Sequence, residues 1–187
     1  MSFQKNPAPD LELAQLIEQA VVKYNVSRAM NDRRWLLVDA HRQRLVLVVG
    51  RAPQHTWPVS TASAGLDNRQ DSGGTPPGTH RIARKIGAGS PVGTIFSSRE
   101  ATGEVWQPGQ ESADDLILTR ILTLAGCEPG LNQGPGVDSE ERFIYLHGTN
   151  DEERLGEAVS HGCVRLSNAD ICEVFDLVEE GDSLVII

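Results

Sequence analysis

The run Trp35-Leu-Leu-Val-Asp-Ala-His-Arg-Gln-Arg-Leu-Val-Leu-Val-Val49 decides the fold class. Two apolar, β-branched stretches, Trp35–Asp39 and Leu45–Val49, flank a polar segment from Ala40 to Arg44, which is the composition of two strands paired through a turn. Working outward, Thr56 to Ser63 reads as a further strand. Leu116 to Leu124 alternates with period two, interrupted on one face by Arg120. Phe143-Ile-Tyr-Leu146 and Ser183-Leu-Val-Ile-Ile187 complete a mainly β body. Asp71-Ser-Gly-Gly-Thr-Pro-Pro-Gly78 concentrates turn-forming residues and predicts a surface loop. From His80 to Asp115 the pattern supports no defined element; the segment is a candidate flap over a site.

Two helices frame this body. Leu13, Leu16, Ile17, Ala20, Val21 and Tyr24 recur at three- and four-residue steps, with Asp10 placed to cap the first turn. Residues 1–32 are therefore a helical extension whose stripe docks on residues 33–187. Near the end, Ser167-Asn-Ala-Asp170 opens a helix carrying Ile171, Val174, Phe175 and Val178 on one side and stopping at Gly181.

The 187 residues suit one domain with a short appendage, and 39% hydrophobic content supplies a core without disulfide staples. A formal charge of −9 opposes binding to nucleic-acid phosphates. Read from Met1, the opening lacks a secretory signal and no run is long enough to span a bilayer, so the expected setting is cytoplasmic, or periplasmic if an export signal has been removed. Three cysteines, Cys127, Cys163 and Cys172, leave at least one unpaired thiol.

Reactive side chains are densest at His147-Gly148 and, after twelve residues, Ser160-His161-Gly162-Cys163-Val164-Arg165. A cysteine nucleophile needs a neighbouring imidazole or positive charge to hold its anion, and two histidines and an arginine are present. Filling the thiolate state gains only about 30-fold, so substrate positioning and main-chain donors to an oxyanion must supply most of the rate. His147, placed at the end of the Phe143–Leu146 strand, is the candidate base, with a backbone carbonyl near Gly148 orienting its ring. His161 is expected to shape the oxyanion pocket, and Gly162 to let a substrate carbonyl approach the main chain. Arg165 is placed either to hold a substrate carboxylate or to brace the loop; Ser160 is grouped with it on the substrate side.

Other readings compete. Cys163 could be a buried structural thiol beside core histidines, and His147, His161 and Cys163 are ligand types that suit zinc, although the paired Cys-x-x-Cys spacing is missing. Cys127 and Cys172 read as structural. Gly87 to Gly93 has the wrong spacing for a dinucleotide loop. His41, His55 and His80 read as surface or hydrogen-bonded residues. No cofactor or metal is expected.

The His147 and Ser160-His-Gly-Cys-Val-Arg165 pattern resembles the YkuD-type catalytic domain of L,D-transpeptidases, and the likeness extends over roughly residues 33–187. Trp35 to Gly50, with Asp39 and Gln43, is similar to that family's opening hairpin, and Gly74-Thr-Pro-Pro-Gly78 to its Thr-Pro-x-Gly turn. His80 departs from the pattern, standing where Phe or Tyr is more usual. The resemblance implies a YkuD-like β-sandwich or barrel, with a helix after the cysteine motif. It implies that Cys163 attacks the L,D bond before the terminal D-alanine of a peptidoglycan tetrapeptide stem, forming a thioester. It further implies His147 as base oriented by the Gly148 carbonyl, His161 and Gly162 at the oxyanion, and Arg165 supporting the pocket. The expected partners are stem peptides or muropeptides. With water as acceptor the chain is a cytosolic L,D-carboxypeptidase of peptidoglycan recycling; the alternatives are an exported crosslinking transpeptidase and an inactive peptide-binding domain.

Overall fold

The computed structural model describes residues 10–24, 34–110, 112 and 115–187. Its elements are α1 (Leu11–Lys23), β1 (Arg34–Asp39), β2 (Arg44–Val49), β3 (Ala52–Pro58), β4 (Gly78–Ile86), β5 (Thr94–Ser97), β6 (Glu100–Val105), β7 (Ile117–Gly126), β8 (Tyr145–Gly148), β9 (Val164–Leu166), α2 (Asn168–Leu177) and β10 (Ser183–Ile186). The strands form one hydrogen-bonded sheet in the order β3-β2-β1-β10-β4-β7-β5-β6, with β8 branching from β7 and β9 pairing β8. Strands β3 through β7 of this order meet β8, β9 and α2 in one core: Leu36, Val38, Leu45 and Trp57 join Leu122, Leu146, Val164 and the buried face of α2. The curled β body is the expected class.

β1 is apolar on both sides because both sides are covered. Leu36 and Val38 enter the main core, whereas Trp35 and Leu37 face Ile17, Ala20 and Val21 of α1. Asp10 caps α1 by accepting from the Leu13 amide at 3.0 Å, and Asp10 also pairs with Arg44 across to β2 at 2.8 Å. Ile17 is 1% exposed. Ile17→Ala is expected to cost about 2–4 kcal/mol in urea unfolding, the range for emptying a well-packed aliphatic site; a loss below about 0.5 kcal/mol would mean that α1 adds little to the body.

Several boundaries differ from those read in the sequence. β3 begins at Ala52 and its continuation, Ser60 and Ala62, makes only single bridges to Arg165 and Ser160. The Pro-rich turn is not a surface loop throughout: Gly74, Thr75 and Pro76 are buried because they pack beneath the cysteine motif. α2 ends at Leu177, four residues before Gly181, which instead takes φ 94° in the turn to β10. The Phe143–Leu146 strand shifts to Tyr145–Gly148, since Phe143 adopts φ 58° and cannot continue a ladder. Within His80–Asp115 lie most of β4 and a β5–β6 hairpin; β6 is exposed along its length, so it lacks the one-sided apolar alternation that marks a strand.

His80 is fully buried in β4, bonding the Gly78 carbonyl at 3.1 Å and Ser139 Oγ at 2.9 Å. Burial pushes its pKa down to about 4. The unfolded chain takes up this proton near pH 6.5, so the stability contributed by neutral His80 is complete above that pH and is lost as the pH falls toward 4. The expected loss is about 3 kcal/mol between those limits. His80→Gln, which cannot titrate, should flatten that part of the pH–stability curve; parallel curves for the two proteins would refute the assignment.

Candidate active site

β8 and β9 run parallel with His147 opposite Arg165 and Leu146 opposite Val164. Side chains alternate along each strand, so Leu146, Val164 and Leu166 enter the core while Tyr145, His147, Cys163 and Arg165 share the other face. Cys163, just before β9, packs with Tyr145, Phe96 and Ile121. Extending the parallel register back by one residue sets Cys163 beside Tyr145, with His147 two residues farther along the same face of β8. His147 therefore lies inside a strand rather than after its end, and it is 2% exposed.

Its ring is oriented by its own neighbour. Nδ1 lies 2.8 Å from the Gly148 carbonyl; a carbonyl only accepts, so Nδ1 carries the proton and Nε2 is the free base. Burial lowers the His147 pKa, against the Gly148 bond and Asp115, which raise it. Cys163 Sγ donates to the Phe143 carbonyl at 3.3 Å. Burial raises its pKa to about 11, opposed by the Tyr145 amide and by Arg165 and Arg142. Desolvation thus favours the uncharged forms of both groups, a thiol and a neutral imidazole.

The motif turn is held by residues the sequence placed elsewhere. Ser160, expected on the substrate side, is fully buried; its hydroxyl donates to the Cys163 carbonyl at 2.6 Å and accepts from the Gly162 amide at 3.2 Å. It fastens the turn from within. Gly162 has φ 135°, and a Cβ there would stand 3.2 Å from Ile144 Cδ1 and 3.4 Å from the Gly74 carbonyl. Packing and backbone conformation both favour glycine here, and its amide is directed at Ser160 Oγ. Thr75 Oγ1 donates to the Gly162 carbonyl at 2.9 Å, which is why the Pro-rich turn is buried.

His161, expected at the oxyanion pocket, has a side chain 81% exposed, with Nδ1 3.2 Å from Asp115. Arg165 is the reverse: its side chain is 3% exposed, paired with Asp115 and 3.6 Å from Asp151. Of its two readings, the brace is the one this burial favours. Among the described residues no group of three or more His, Cys, Asp or Glu side chains could hold a metal ion. All three cysteines are free.

Sequence reasoning missed three residues here. Asp115 links His161 to Arg165. Arg142 donates to the carbonyls of Asp67 at 3.0 Å and Gly74 at 2.7 Å, fixing the turn beside Gly162. Arg99, at the tip of the β5–β6 hairpin, donates to Tyr145 Oη at 2.8 Å and stacks 4.6 Å over the Phe143 ring. That tip reaches the residues flanking Cys163, where the flap was expected. None of the three carries a local sequence signal, since each acts across a long stretch of chain.

The sequence and fold match known proteins. Residues 33–187 match the YkuD family, described as the L,D-transpeptidase catalytic domain. A putative L,D-transpeptidase, YkuD of Bacillus subtilis, is 42% identical over 41 residues, 22% of this chain and 25% of that protein. A probable L,D-transpeptidase, ErfK/SrfK of Salmonella typhimurium, is 25% identical over 188 residues, covering 99% of this chain and 54% of that protein. The chain thus spans about half the length of the Salmonella relative. Among solved structures, an L,D-transpeptidase from Xylanimonas cellulosilytica superposes with a TM-score of 0.51 at 16% identity, over 92% of this chain and 69% of that one, a likeness of fold. By the match of residues 33–187, this chain belongs to the YkuD family of L,D-transpeptidase catalytic domains.

Proposed function

We propose that the chain is a cysteine acyltransferase that opens the L,D bond before the terminal D-alanine of a peptidoglycan tetrapeptide stem, with Cys163 as nucleophile and His147 as base. The observation that carries this reading is the placement of Cys163 and His147 on one face of β8–β9, with Nδ1 committed to the Gly148 carbonyl. Nε2 takes the thiol proton as Sγ attacks the stem carbonyl, then returns it to the departing D-alanine amine, leaving a thioester. Water, deprotonated by the same imidazole, attacks the thioester; the tripeptide acid leaves and the thiol is restored. Arg165 and Ser160 are positioning residues, one bracing β9 and one fastening the motif turn.

Water as acceptor is the carboxypeptidase reading expected in peptidoglycan recycling and stands first. An amine from a second stem would give the crosslink, the activity stated in the relatives' names. Both outcomes leave from the same thioester, so one incubation with soluble tetrapeptide plus excess amine acceptor separates them. Free D-alanine and tripeptide without dimer assign water, dimer assigns the amine, and failure to release D-alanine refutes the acyltransferase reading.

A further inference from the structure

The β5–β6 hairpin turns through two residues, Ser98 and Arg99, between the paired Ser97 and Glu100. Both are left-handed, Ser98 at φ 50° and Arg99 at φ 72°, a geometry that favours asparagine and glycine. An arginine in that position is strained, and such strain persists only where surrounding contacts over-determine it.

Those contacts lie beside the cysteine. Arg99 Nε donates to Tyr145 Oη at 2.8 Å, Nη2 donates to the Glu140 carbonyl at 2.6 Å, and the guanidinium lies 4.6 Å from the centre of the Phe143 ring. The planar group suits this, donating in its plane to separate oxygens while its face rests on an aromatic ring. Phe143 is itself strained, with φ 58°, and its amide donates to the same Glu140 carbonyl at 3.2 Å. Its ring stands edge-on to that of Tyr145 at 6.3 Å. Arg99 therefore braces residues 140–145 from outside.

That segment holds the sulfur. The Phe143 carbonyl accepts from Cys163 Sγ at 3.3 Å, and the Tyr145 amide hydrogen-bonds the same sulfur, which favours its anion. A carbonyl only accepts and an amide only donates, so the carbonyl serves the thiol and the amide serves the thiolate. We propose that Arg99 is a positioning residue for Cys163, holding Phe143 and Tyr145 so that their main-chain groups keep the sulfur in place as its proton leaves. The proposal rests on Cys163 being the nucleophile and adds a residue that acts on the sulfur through its neighbours.

The test is the rate at which iodoacetamide labels Cys163, read by mass mapping of each cysteine from about pH 7 to about pH 10. The bond to the thiolate is charge-assisted whereas a thiol is a weak donor, so loosening both main-chain groups destabilises the thiolate more. Arg99→Ala should therefore slow labelling about three- to tenfold at each pH, a smaller thiolate population being partly offset by the greater nucleophilicity of a more basic sulfur. If Arg99 merely shielded the sulfur, its removal would speed labelling. Arg99→Gly, which relieves the strained turn, should be as slow as Arg99→Ala. Arg99→Lys, which keeps a cation for the Phe143 ring, should recover part of the rate. The charges that act on the sulfur, Asp115, Arg165 and Arg142, are unchanged in every variant, as is His147, and Cys127 and Cys172 should label as in the parent. Parent-like or faster labelling of Cys163 in Arg99→Ala, a parent-like rate in Arg99→Gly, or no recovery in Arg99→Lys overturns the proposal. Tyr145→Phe removes only the hydroxyl that Arg99 reaches; it should also slow labelling, and an unchanged rate there refutes the proposal even where Arg99→Ala does not fold. Labelling needs no stem peptide, so absence of D-alanine release would sink the acyltransferase reading and leave this result standing.

Discussion

Cys163→Ala is expected to lower D-alanine release by on the order of 10⁴-fold or more while leaving the fold intact, because no other group can form the thioester. The sulfur has one hydrogen bond as donor, to the Phe143 carbonyl, and its removal leaves a small void beside Tyr145 rather than a broken network. Circular dichroism and urea unfolding should match the parent closely; turnover retained in the variant would sink the nucleophile assignment. The parent protein should also show a defined pH response. With the thiol raised to about 11 by burial and His147 held neutral, alkylation of Cys163 by iodoacetamide should keep accelerating from about pH 7 to about pH 10. A preformed thiolate would give a rate already level near neutrality. A plateau below pH 8 would show that the proton has left before the electrophile arrives.

Gly148→Ala should damage stability and activity together. A Cβ at Gly148 would fall 2.6 Å from Asn168 Oδ1 and 2.9 Å from the Leu118 carbonyl. Neither can withdraw: Leu118 is paired with Gly148 in the β7–β8 ladder, and Asn168 is held by Thr119, by the Thr149 carbonyl at 2.8 Å and by Glu152. Relief requires β8 to shift, at about 1–3 kcal/mol for overpacking of this kind. The same shift moves the Gly148 carbonyl that orients His147, and a displacement near 1 Å at a reacting group costs about 10²-fold in rate. The measurements are urea unfolding and kcat under conditions where the variant remains folded. Parent-like values in both would refute the tight packing around Gly148.

The hairpin, both helices and the terminal strand were legible because each advertises itself locally. Trp35–Val38 and Leu45–Val49 are each continuously apolar around a polar turn, Asp10 and Ser167 are caps in sequence, and the α1 stripe repeats at helical spacing. The β5–β6 hairpin was not, because exposed β6 has no buried face to impose alternation. In the candidate site, the Gly148 carbonyl orients His147 as expected, and the cysteine turn leads into β9 beside β8. The surroundings of His161 and Gly162 were not legible, since neighbours distant in sequence decide which way each turns: Asp115 for His161, Ile144 and Gly74 for Gly162. Ser160 instead folds back within its own turn, onto Gly162 and Cys163.

The sequence by itself determined which side chains could react, that the body is β-rich, and which family the motif resembles, because residue type, spacing and periodicity are properties of the chain alone. Only the tertiary structure decided that burial pushes the Cys163 thiol up, that Arg165 is enclosed between two carboxylates, and that His161 faces outward beside Asp115. Those depend on how much water is removed from each group and on which distant charges replace it, and desolvation is a property of the packed molecule.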